Sequence, residues 1–100
     1  MAKRRVQNTS AKGSRAEHRA MKILEAAGYA CTRAAASLGV FDVVAVGPRD
    51  IRLVQIKAGA RCQISGIDRE AIRLFVAPSN ASREIWKFFD RVKHPIIERL

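Results

Sequence analysis

Residues 41–59 read FDVVAVGPRDIRLVQIKAG, and this stretch decides how the chain is built. Two apolar, β-branched runs, Val40 to Val46 and Ile51 to Lys57, flank Gly47-Pro48-Arg49-Asp50, whose residues favour a turn, so the pattern predicts a hairpin. Side chains alternate along the second run. Leu53, Gln55 and Lys57 share one face, while Arg52, Val54 and Ile56 share the other. Counted outward from the turn, Asp42 lies about as far away as Gln55 and Lys57, so a carboxylate, an amide and an ammonium meet at one sheet end. Taken alone, Asp42 and Lys57 could equally be an ordinary ion pair.

Upstream, Ser14 is placed to cap a helix, with Glu17 at capping-box spacing, and Gly28 stops that helix after Ala27. At the α-helical step of about 100° per residue, Ala16, Ala20, Met21, Ile23, Leu24 and Ala27 form an apolar arc. Glu17 falls on that arc, where an ionised carboxylate is costly unless a cation, a metal or hydrogen-bond donors meet it. The stretch before the helix, residues 1–13, reads as a flexible basic arm ahead of one domain spanning 14–100. Tyr29 to Arg33 reads as a strand. Beyond the hairpin, Ala58 to Gly66 is loop-like, and Asp68 is expected to cap a short helix through Val76. Arg83 to Arg91 has the aromatic content of a strand, with Pro95 to Arg99 pairing back onto it. Ile85, Trp86, Phe88 and Phe89 put apolar groups on both faces of that strand, so one face is expected to contact a second copy.

One hundred residues, 48% of them hydrophobic, suffice for one core and not two. Nineteen Lys and Arg against nine Asp and Glu leave a net charge of +10, which suits a polyanion, nucleic acid first. No apolar run approaches the roughly 20 residues of a membrane span, and the N-terminus lacks a secretory apolar stretch. An intracellular, cytoplasmic protein with no membrane partner is expected, its Cys31 and Cys62 reduced. His18 and His94 have no metal-ligand spacing and read as surface residues.

Phosphodiester hydrolysis needs a divalent cation on oxygen ligands, an aimed water, and positive charge for the transition state. Glu17, Asp42 and Gln55 can supply the oxygens, and Lys57 the charge. A helix with an inward Glu, a strand opening FDVVAV and a strand ending VQIKAG resemble the PD-(D/E)XK nucleases. Within them, the chain is most similar to the archaeal-type Holliday junction resolvases, which phages also carry, over Ser14 to Gly59. The resemblance implies an α/β, restriction-endonuclease-like fold whose central mixed β-sheet is flanked by helices. It also implies Glu17 as the first-helix glutamate, Asp42 as the motif aspartate, and Gln55 with Lys57 as the (D/E)-x-K pair. Ser37 matches a loop serine near the scissile phosphate, and Arg15 a basic residue that holds the backbone.

Two positions depart from the pattern. Phe41 stands where the motif has Pro, its loosest position, and Gln55 replaces an acid, leaving one fewer negative charge for a hard cation. The expectation is a metal-dependent endonuclease of DNA recombination and repair that resolves four-way junctions by paired nicks. It would use Mg²⁺, or Mn²⁺ in its place, with no other small-molecule cofactor. It would act as a homodimer, within the host cytoplasm if phage-encoded. Lys3, Arg4, Arg5, Lys12, Arg15, Arg33 and Arg61 are the expected DNA contacts. A different structure-specific nuclease would use the same residues. A DNA-binding module that kept the fold and lost the metal, with Gln55 as its mark, is the non-enzymatic alternative.

Overall fold

A single sheet with an apolar surface on each side organises the chain. The computed structural model describes the backbone of residues 2–34 and 39–100, and the side chains of residues 12–34 and 39–100. In chain order the elements are α1 (Ala2–Ala26), β1 (Ala30–Arg33), β2 (Val43–Val46), β3 (Ile51–Gly59), α2 (Gly66–Leu74), β4 (Ala81–Phe89) and β5 (Ile96–Arg99). The five strands lie in sequence order. All neighbours are antiparallel except β3 and β4, whose parallel pairing is made possible by the α2 crossover. The mixed sheet flanked by helices is thus the architecture the sequence led us to expect.

The β2–β3 hairpin pairs Val43 with Val54 and Val46 with Ile51, and its turn closes with the Gly47 N–H donating to the Asp50 carbonyl at 2.8 Å. A side chain at Gly47 would force the Tyr29 ring to shift, because an added Cβ would lie 2.8 Å from it. On one face of the sheet, Ala16, Ala20 and Leu24 of α1 bury Val43, Ala45, Val54, Ile56, Trp86 and Phe88. Alanine at two of those helix positions lets α1 lie close to the strands. On the other face Ile72 of α2 packs with Phe41, Leu53 and Ile85, and the Phe41 and Phe75 rings meet edge to face at 5.0 Å.

Three expectations are corrected. The helical backbone does not begin at Ser14 but continues upstream to Ala2, so Ser14 lies inside α1. The Lys, Arg, Gln and Ala residues of that stretch are good helix formers, which a count of charges and loop formers undervalues. The second helix is capped by Ser65, whose Oγ accepts from the Asp68 N–H, so Asp68 occupies the first turn. Finally, the aromatic strand leaves no spare face for a second copy: Ile85 goes to the α2 side, Trp86 and Phe88 to the α1 side, and all three are buried within one chain. β4 is an interior strand, and interior strands are apolar on both faces.

The far end of the α1 face holds the fully buried carboxylate of Glu84. Arg52 donates two hydrogen bonds to it, at 2.9 and 2.8 Å, and Trp86 Nε1 donates a third at 2.8 Å. Ser82 Oγ adds a short bond, and the Arg52 guanidinium lies over the Tyr29 and Trp86 rings. Burial pushes the Glu84 carboxyl up, but these donors outweigh it and hold the group below the usual carboxylate range. This network belongs to the architecture.

Candidate active site

β2 and β3 are of unequal length, and the site lies on the step between them. β2 has its first paired residue at Val43, whereas β3 runs on to Gly59. One position further out, the Asp42 N–H still donates to the Val54 carbonyl at 2.8 Å, but the ladder's next bond is made by a side chain: Asp42 Oδ2 accepts from the Ile56 N–H at 2.8 Å. The carboxylate therefore lies at the sheet end, where groups from both faces can reach it.

Glu17 comes from α1, between buried Ala16 and Ala20, with its side chain only 18% exposed. The Arg33 guanidinium lies 2.7 Å from Glu17 Oε1 without hydrogen-bond alignment, so that buried oxygen has an ionic neighbour and no hydrogen-bond donor. Burial pushes the Asp42 carboxyl up and the Ile56 N–H draws it back; the charge of Glu17 raises it further, while Lys57 and Arg33 lower it. Glu17, Lys57 and Arg33 thus surround Asp42 closely enough for their charges to be felt. Gln55 is half-buried, and its NH₂ makes only a long 3.5 Å contact with the Ile56 carbonyl. Lys57, two residues on and on the same face, forms no salt bridge among the described residues.

The chemistry of this donor set fits a divalent cation. A partly desolvated Asp42 carboxylate raised by the nearby charge of Glu17, whose own buried oxygen lacks an aligned donor, is what a hard cation relieves. Among the described residues no group of three or more His, Cys, Asp and Glu gathers anywhere.

A family model described as archaeal Holliday junction resolvase (Hjc) matches residues 8–90. The chain belongs to this resolvase family. Among solved structures it is similar to the Hjc of Archaeoglobus fulgidus, a Holliday junction resolvase from an archaeal hyperthermophile. The identity is 23% and the TM-score 0.69, over 88% of this chain and 72% of that one. Comparison with curated proteins gives no match. Membership in the Hjc family makes the chain a Holliday junction resolvase, an endonuclease acting on branched DNA, of a type that depends on metal.

Apart from Arg33, the remaining expected contacts lie away from Asp42 or outside the described residues. Ser37 lies outside the described residues, as do the side chains of Lys3, Arg4 and Arg5. Arg15 and Arg61 are exposed, and Lys12 pairs with Asp90 at 3.3 Å. Arg33, expected at the DNA, also faces Glu17. Sequence patterning could not show that contact, because it joins a helix to a strand end across the sheet edge. No described helix is long and apolar enough to cross a membrane.

Proposed function

We propose that Glu17, Asp42, Gln55 and Lys57 form a Mg²⁺-dependent site, with Mn²⁺ as a working substitute, that makes paired nicks in four-way junctions. The observation that carries this reading is the convergence on the β2–β3 step of two under-compensated carboxylates with the Lys57 ammonium. Glu17, Asp42 and Gln55 would hold the cation, which when bound supplies Lewis-acid polarisation of the phosphate and acidifies water. The Ile56 N–H fixes Asp42 Oδ2 and so aims the rest of the carboxylate outward. Lys57 stabilises the charge that develops on the phosphoryl oxygens, or orients the attacking water. Arg33 has the reach to leave Glu17 for a phosphate. Ser37 acts beside the scissile phosphate, and Lys3, Arg4, Arg5, Lys12, Arg15 and Arg61 follow the DNA backbone.

Two symmetry-related cuts require two sites, and we place the second copy against α2. The large exposed apolar residues Ile67 and Leu74 lie on that helix, followed by Val76, which is 92% exposed.

The test is cleavage of a labelled four-way junction beside linear duplex and single strand, with Mg²⁺, Mn²⁺ or EDTA, for wild type and Asp42→Asn. Metal-dependent paired nicks in the junction alone, lost in the variant, are expected. Binding without cutting under either metal would overturn the catalytic assignment. Sedimentation of wild type against Leu74→Glu tests the dimer, whose loss in the variant is expected.

A further inference from the structure

Beside the candidate active site, on the α1 face, lies a recess of about 330 Å³ bounded by α1, the end of β3 and the turn after β4. Four cations line it, Lys12, Arg15, Arg19 and Arg91, against one carboxylate, Asp90. The surplus of positive charge is thus concentrated where the wall is concave, which strengthens its field. Its floor is apolar, from Phe88 and Ala58.

One of the cations is held in place by the fold, and another sits on an unusual backbone. The Arg19 guanidinium stacks 4.9 Å above the Phe88 ring, and its Nη2 donates to the Lys93 carbonyl at 2.7 Å. Its remaining N–H groups are oriented before any ligand arrives. Arg91 has φ of 63°, a left-handed conformation that side-chain-bearing residues seldom adopt and that favours Asn or Gly. An arginine kept there places a charged side chain at the rim of the recess against its own backbone preference. The Asp90 N–H donates to the Gly59 carbonyl at 3.0 Å, which anchors this turn to the end of β3, two residues beyond Lys57. On α1, Ala16 lines the recess and Glu17 follows it. The recess and the candidate catalytic residues therefore share adjacent positions on the same two elements.

We infer that this recess is a second phosphodiester subsite, in which Arg15, Arg19, Arg91 and Lys12 hold a backbone phosphate of the strand whose neighbouring phosphate is cut. The inference rests on the function proposed above. Forked guanidiniums match phosphate oxygens in pairs, and the apolar floor accepts the sugar. Asp90, which partly neutralises Lys12, opposes the ligand and sets its affinity.

Arg91→Asn removes the charge and suits the left-handed backbone, so the turn is retained. Asp90→Asn gives up only an exposed ion pair. Junction binding is measured in EDTA across a salt series, with thermal melting as the check on folding. For Arg91→Asn the expected result is about 3- to 10-fold weaker binding and a salt slope smaller by about 1. Asp90→Asn is expected to bind about as much tighter. A scan of junctions carrying single neutral methylphosphonate linkages then identifies the source of the phosphate. One linkage next to the nick should weaken wild type and leave Arg91→Asn unaffected. Unchanged affinity and slope in both variants, or a flat scan, would overturn the subsite while wild-type nicking still upholds the proposed function. Failure of wild type to bind or nick the junction would overturn both.

Discussion

Glu84, fully buried, and the half-buried Asp42–Glu17 pair are carboxylates treated in opposite ways. Glu84 is surrounded by donors from Arg52, Ser82 and Trp86, with Arg99 3.4 Å away, and its charge is fully answered. Asp42 has one backbone N–H, and the buried oxygen of Glu17 has the Arg33 guanidinium at 2.7 Å but no aligned hydrogen-bond donor. A buried charge that is fully answered holds a fold together, and one left short is a place for something the chain does not itself contain.

The sharpest way to break this comparison is to neutralise each acid without changing its shape. Asp42→Asn keeps an acceptor for the Ile56 N–H, so nicking should fall on the order of 10³-fold, about 4 kcal/mol of transition-state stabilisation. The metal-free melting temperature should hold or rise, and a drop of several degrees would mean that Asp42 is structural. Glu84→Gln should do the reverse. It strands the half-buried Arg52 and should cost about 3 kcal/mol of stability in denaturant unfolding. Nicking per folded molecule should be unchanged.

Gln55→Glu restores a third acid to the site. It should lower the Mg²⁺ concentration for half-maximal nicking about 10-fold, or about 1.4 kcal/mol, and make the metal-free fold less stable. If metal demand does not move, Gln55 is not a ligand. The smallest effect is on acid stability, where the two acids carry opposite signs. Glu84 is held below its ordinary 4.5, so its contribution is present above that pH and is lost as pH falls through its folded value. Asp42 is held above its ordinary 3.8, so its contribution is full below 3.8 and is lost as pH rises through its folded value. Acid melts of metal-free protein should flatten for Glu84→Gln and steepen for Asp42→Asn.

The difference between the two regions also explains what could be read from the sequence. Strand alternation and the Gly47–Asp50 turn are local, and they set Asp42 level with Gln55 or Lys57; the ladder, which pairs Val43 with Val54, brings it next to Gln55. Glu17 was legible because it interrupts an apolar arc, of which Ala16, Ala20 and Leu24 pack on the sheet while Ile23 and Ala27 stay exposed. Glu84 passed unnoticed within a strand read for its aromatics, because its partners come from β3, β4 and β5 and no spacing rule links them. The recess was hidden for the same reason: Arg15 and Arg19 look like a solvated helix face until the turn after β4 is brought against them. One apolar face of β4 was assigned to a second copy because a linear reading cannot tell an interior strand from an exposed one.

The side-chain bond that replaces a ladder bond at Ile56 has a spectroscopic consequence. An amide proton held by a carboxylate resonates according to the charge on that carboxylate, and this one is attached to the strand that carries Gln55 and Lys57. In a ¹⁵N-labelled sample the Ile56 cross-peak should follow the ionisation of Asp42 and shift again when Mg²⁺ is titrated in. A single backbone resonance would then record the state of the centre in the absence of turnover, with DNA present or not.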